Sequence, residues 1–216
     1  MGERRKGVNP AGLTPPELAE AIGGVESAST LKMAVSALRR SLEPELAQGE
    51  RSRYVPLDGE RYLLAPEALA YVDVAAFEAR WREAHRLEAV DPAAAAERYA
   101  QALAHHRGDL LAESLFAGPF EGERMRLRGR AVAALSFVAR RHLAASALDA
   151  AAAAFARALA LDPLEEALVV DLMAVHVERG QPQRAREAYW DARRALKQRV
   201  DARPGEALEA AFHALG

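Results

Sequence analysis

The chain contains no cysteine, so disulfides and thiolate metal sites are excluded. No apolar run approaches the length of a membrane span. The opening Gly2-Glu3-Arg4-Arg5-Lys6 is followed by no signal-peptide core. The alanine-rich run 147–161 is broken by Asp149 and Arg157 and reads as a helix. A cytoplasmic protein with no membrane partner is therefore expected. An excess of charge is missing too: the formal net charge is −2 over 216 residues, and acids and bases nearly cancel in front of Asp73. Any nucleic-acid contact must then be a local patch, because there is no global field to draw the polymer in.

Signatures of chemistry are equally scarce. The chain has no Walker loop, no GxGxxG, no GxSxG and no kinase set. None of His85, His105, His106, His142, His176 and His213 stands at a metal-ligand spacing. His105 and His106 are adjacent, so on a helix they point about 100° apart. They read as a helix end, where a cation is favoured, and His176 reads as a packed helix-interface residue. Glu165-Glu166 and Glu121/Glu123 read as helix starts, where carboxylates stabilise the end. No catalytic residue, metal ligand or cofactor is expected, and the chain is not read as an enzyme.

One local absence is informative: no acid lies between Ser27 and Leu42. Leu31, Val35, Leu38 and Leu42 recur at helical spacing and make one apolar stripe. The opposite face carries Lys32, Ser36, Arg39 and Arg40. A breaker follows at Glu43-Pro44, then two strand-like runs, Arg53–Pro56 and Arg61–Leu64, around Asp58-Gly59. A basic helix with an apolar back, followed by a basic-edged hairpin, is how a winged helix meets DNA. An ordinary surface helix followed by a hairpin fits the pattern equally well, since short basic helices are common.

Thr30-Leu31 and Val35-Ser36-Ala37-Leu38-Arg39-Arg40-Ser41-Leu42, followed by Gly59-Glu60-Arg61-Tyr62-Leu63-Leu64, resemble the recognition helix and wing of an OmpR/PhoB-type winged helix. The variant most similar is that of the SARP family of antibiotic-regulatory proteins. There a helical bacterial transcriptional activator domain follows directly, beginning near a V-D-x-x-x-F segment. Val72-Asp73-Val74-Ala75-Ala76-Phe77 stands at that place. The resemblance runs from about Leu13 to the end. A complete OmpR-type domain sets a sheet and a further helix ahead of the Leu13 position, so a truncated or degenerate winged helix is implied.

Other local signals fix the helices. Thr14-Pro15-Pro16-Glu17 is a capping box with proline at the first helical position, opening a short helix that stops at Gly23-Gly24. Ser27 and Ser29 compete to cap the next helix, about 29–42. From Val72 onward every element reads as helix. Phe77, Trp81, Ala84 and Leu87 form one stripe, and Asp91-Pro92 opens the following helix. Ala151, Phe155, Ala158 and Pro163 match the second-helix signature of a tetratricopeptide repeat (TPR), where small residues permit close crossing and an aromatic fills the groove. A shift of about 34 residues lands on Ala185, Tyr189 and Ala192, with Gly180 in the turn. Ala95, Tyr99 and Ala102 make a third copy, thrown out of phase by the segment 109–122.

The expected fold is mainly α. Residues 1–12 form a flexible start. Residues 13–71 form a truncated winged-helix segment with a short β-hairpin, and residues 72–216 form TPR-like helical repeats of the activator-domain type. The resemblance implies a transcription regulator whose partners are duplex DNA and a protein, either RNA polymerase or a second copy held through the repeats. Candidate DNA contacts are Thr30, Lys32, Met33, Ser36, Arg39 and Arg40 on the helix, with Arg53 and Arg61 on the wing at 53–64. Arginine can pair bidentately with guanine, lysine suits phosphate, and Met33 could meet a thymine methyl or be packed. The alternative is a repeat-based adaptor whose degenerate winged helix no longer binds DNA.

Overall fold

Capping chemistry decides where the first helix starts. In the computed structural model, which describes residues 12–22, 27–69, 72–110 and 120–216, the Thr14 amide donates to Glu17 Oε2 at 2.8 Å. The Glu17 amide donates back to Thr14 Oγ1 at 3.4 Å. This reciprocal box opens helix α1, Pro15–Ile22. Chain contacts divide the molecule into one unit of residues 1–72 with 111–122 and a second of 73–110 with 123–216. The expected glycine stop at 23–24 and residues 1–11 of the expected flexible start lie outside the described residues.

In the first unit, helix α2 spans Ala28–Leu42. Ser27 wins the cap: its Oγ accepts the Thr30 amide at 3.1 Å, while Ser29 donates to or accepts from that same oxygen at 2.8 Å. Strands β1 (Leu57–Asp58) and β2 (Arg61–Tyr62) pair antiparallel, Leu57 opposite Tyr62 and Asp58 opposite Arg61. Leu13 adds a bridge on the other side of Tyr62. Leu31, Val35 and Val55 are the buried centre, with Leu18, Ala19, Ile22, Tyr54 and Tyr62 half-buried around them.

Three expectations need correction here. The apolar stripe of α2 is covered only along its first half: Leu38 is 46 % exposed and Leu42 41 %. Among the described residues the helix with the most contact to α2 is α1, and its eight residues reach about 12 Å, too little to cover a 15-residue helix of about 22 Å. The first strand begins at Leu57, not Arg53, because side chains take the upstream amides. Ser52 Oγ accepts from Val55 N at 2.9 Å and Glu43 Oε1 from Arg53 N at 2.8 Å, so those donors are unavailable to a ladder. Gly12, assigned to the flexible start, is buried with φ +68°. A Cβ there would stand 2.6 Å from the Tyr62 carbonyl oxygen, so only glycine fits both the left-handed backbone and the space.

The second unit is helical throughout. Helices α3 (Asp73–Leu87) and α4 (Pro92–Leu103) pack together, and α5 covers Glu121–Ala144. Helices α6 (Leu148–Leu161), α7 (Glu166–Glu178) and α8 (Pro182–Val200) pack in succession, and α9 (Glu206–His213) lies against α7 and α8. The three repeat signatures occupy equivalent interior places. Ala95/Tyr99/Ala102, Ala151/Phe155/Ala158 and Ala185/Tyr189/Ala192 are all buried. Tyr99 and Ala102 of the first set and all three residues of the second belong to one cluster with Phe77, Leu135, Leu172 and Val175. The third, with Val169, Met173 and Leu208, forms another. The fold is therefore mainly α with TPR-like packing.

Two histidine expectations diverge. His176 is buried, as an interface residue should be. His106, expected as a cation at a helix end, instead lies against the Phe77 ring at 5.7 Å. Burial pushes its pKa down, so desolvation outweighs the helix-end attraction. Of the paired acids, Glu166 does more than stabilise a helix start: its Oε2 accepts the Gly205 amide at 2.6 Å, tying α7 to the start of α9.

Candidate nucleic-acid interface

The candidate surface is the outer side of α2 with the hairpin of the same unit. Leu31 and Val35 point into the core, which by helical geometry turns the intervening positions outward. Thr30, Lys32, Met33, Ser36 and Arg40 are exposed, Met33 at 66 %. Ser36 and Arg40 stand one turn apart, with Lys32 a turn before Ser36, so the three make a continuous polar and cationic line. Met33 is not packed.

Arg39 does not join that line. Its Nε donates to the Val55 carbonyl at 2.9 Å, and its guanidinium lies 5.7 Å from the centre of the Tyr62 ring. The residue spans from the last turns of α2 to the hairpin. Arg61 is likewise turned toward its own unit: Nη1 donates to the Gly12 carbonyl at 2.9 Å and stands 3.5 Å from Glu17. Arg53 is exposed, with its guanidinium 5.4 Å from the Tyr54 ring centre. The eight candidates thus separate into an outward group and two cations bound within the unit.

Glu43 and Ser52 were not among the candidates, yet they orient the surface. Glu43 follows the last residue of α2 and accepts hydrogen bonds from the Ser52 hydroxyl and the Arg53 amide. Those bonds, the Ser52 one foremost, hold its carboxyl below the usual range. Ser52 is itself buried and receives the Val55 amide. Nine positions separate the two residues, and no periodicity marks such a pair in the sequence. Among the described residues no group of three His, Asp or Glu side chains could hold a metal ion.

The family model described as "Bacterial transcriptional activator domain" matches residues 72–215. No curated protein matches the sequence. Among solved structures, that of Mycobacterium tuberculosis EmbR in complex with low affinity phosphopeptide is similar, with 20 % identity and a TM-score of 0.62. The match covers 94 % of this chain and 54 % of the EmbR chain. The chain thus spans about half the length of that relative, and at this identity the likeness is one of fold.

Proposed function

Because the chain belongs to the bacterial transcriptional activator domain family, we propose that it is a DNA-binding transcription regulator of the SARP type, with α2 entering the major groove and the hairpin beside it on the phosphate backbone. One observation carries this reading: Thr30, Lys32, Met33, Ser36 and Arg40 lie exposed on a helix whose Leu31 and Val35 are buried. In this reading Lys32 and Arg40 each neutralise a phosphate, and Met33 offers an apolar contact to a thymine methyl. Arg53 adds a backbone contact from the approach to the hairpin. Arg39 and Arg61 hold the surface in shape. The second unit supplies the protein contact, to RNA polymerase or to a second copy through its helical repeats, and the regulator works in the cytoplasm.

A second reading, a protein-interaction adaptor with a degenerate winged helix, is favoured by the inward commitment of Arg39 and Arg61. The test is a titration of fluorescent duplexes with the full chain at several salt concentrations. Wild type should bind with an affinity that falls steeply with salt. Lys32→Ala with Arg40→Ala should weaken binding and cut the salt slope by about 2, since each phosphate neutralised contributes about 0.9. Salt-sensitive duplex binding absent from wild type would leave the adaptor reading standing.

A further inference from the structure

Tyr189 and Trp190 are neighbours on α8 with opposite fates. Tyr189 fills its repeat slot, whereas Trp190 is 45 % exposed. The indole is nevertheless held in place. It meets Tyr189 edge-on at 5.1 Å and Phe212 of α9 edge-on at 5.5 Å. The Arg193 guanidinium stands 5.0 Å from its ring centre. An aromatic side chain fixed in advance gives up little conformational entropy when something docks on it.

The surrounding helix is cationic. Arg184, Arg193, Arg194, Lys197 and Arg199 are exposed on α8, against Glu187 and Asp191 on the same helix. Trp190, Arg193, Arg194 and Lys197 share one face, at helical spacings of three, four and seven. The acids nearest this face are weakly engaged. Arg194 meets Asp191 at 3.3 Å and Lys197 meets Asp201, both as exposed pairs. Such pairs are worth little in water and can be exchanged for a partner's carboxylates. The Tyr189 hydroxyl engages both Glu209 of α9 and the exposed Arg193, and His213 stands 3.8 Å from Glu209. Arg186 is committed to the carbonyls of Leu215 and Gly216.

We propose that this face of α8, centred on Trp190 and Arg193, docks an acidic segment of a partner protein. The segment lays an apolar side chain on the indole and its carboxylates on Arg193, Arg194 and Lys197. Tryptophan and arginine are both enriched among the few residues that carry most of the binding energy at protein interfaces. Duplex DNA keeps its base faces stacked and would need the cations but not the indole. The face lies in the second unit, so the proposal stands apart from DNA contact by α2.

The test uses the full chain and a fluorescein-labelled (Glu-Glu-Leu-Glu)3 peptide, with (Lys-Lys-Leu-Lys)3 and a labelled 20-base-pair duplex as comparators. Saturable, salt-sensitive binding of the acidic peptide is expected, with the lysine peptide not bound. Trp190→Ala should weaken it at least about tenfold, the loss typical of an interface anchor. Arg193→Glu, at an exposed position, should weaken the acidic peptide and admit the lysine peptide. Circular dichroism checks that each variant keeps its helices, and Arg193→Glu alone decides if Trp190→Ala does not fold. Acidic-peptide binding that is absent, or unchanged in Arg193→Glu, overturns the proposal. So does duplex affinity that falls in Trp190→Ala together with displacement of the peptide by duplex, which would make this a nucleic-acid surface.

Discussion

Replacing Phe155 with alanine tests the repeat packing most directly. Phe155 is completely buried on α6, with Ala151 a turn before it and Ala158 a turn after. It belongs to the cluster that includes Leu172 and Val175 of α7. Removing the ring forfeits about 2–3 kcal/mol of transfer free energy. The alanines flanking it have no length with which to fill the space, so a cavity remains and raises the total to about 3–5 kcal/mol. For a domain of this size each kcal/mol shifts the melting point by about 2–4 °C, so Tm should fall by roughly 6–20 °C. Scanning calorimetry reads this on the full chain and separates two transitions if the units melt independently. Urea unfolding followed by circular dichroism should show a lower midpoint with the same slope. Met33→Ala, on the exposed side of α2, serves as the control and should stay within about 0.5 kcal/mol. A Phe155→Ala loss below about 1 kcal/mol would refute the shared core that the repeat assignment requires.

Other consequences are local. Arg39→Ala removes the donor to Val55 and the cation over Tyr62, at a cost of about 1–3 kcal/mol; hydrogen exchange should accelerate at the Leu63 and Ala65 amides, which pair with Pro56 and Tyr54, and unchanged exchange would show that Arg39 does not hold the hairpin. Gly12→Ala forces a Cβ toward the Tyr62 carbonyl at positive φ, costing about 1–3 kcal/mol; the Tyr62 amide, which donates to Leu13 at 2.8 Å, should lose protection. Burial holds His106 and His176 below their ordinary value of 6.5, so below that pH the unfolded chain binds more protons than the folded one. Their share of stability is complete above about pH 6.5 and is lost as pH falls through the lowered folded values. Urea midpoints should therefore drop between pH 7.5 and pH 5.5, and His176→Gln should flatten the drop.

Much of the helical unit was legible because its signals are local and redundant. Asp91 before Pro92 and the small-aromatic-small spacing around Phe155 and Tyr189 each fix a short piece of chain. Every such piece agrees with the 3.6-residue period. The third copy around Tyr99 was readable although the 109–122 segment spoiled its phase, because its packing chemistry is the same. The α2 surface was legible only in part. Periodicity can say that Leu38 and Leu42 share a stripe with Leu31, but the length of the helix packed over them decides whether they are covered. Likewise the sequence shows that Arg39 and Arg40 are cations off the main stripe. It takes the hairpin's return path to bring the Val55 carbonyl under one and leave the other free. Glu43 with Ser52 shows the same limit, since a carboxylate and a hydroxyl nine residues apart meet only through the loop between them.

The near-neutral charge in front of Asp73 counts against a nucleic-acid surface only if every charge is equally available. Several are not. Glu17 is engaged by Thr14 and Arg61, and Glu43 by Ser52 and Arg53, so two acids are partly spent at the base of the hairpin. Arg39 and Arg61 are spent on the carbonyls of Val55 and Gly12. On the outer side of α2, Lys32 and Arg40 stand with no acid anywhere between Ser27 and Leu42. A field that averages to zero over the segment is therefore positive along this helix at the distance of a phosphate contact, well inside a Debye length of about 8 Å. It follows that cations on α2 should not be interchangeable in their effect on DNA. Arg40→Ala should lower affinity and the salt slope together, whereas Arg39→Ala should lower stability and leave the slope nearly unchanged. Equal slopes lost from both would mean that Arg39 leaves Val55 to reach the backbone, and that the helix-to-hairpin contact is not kept on DNA.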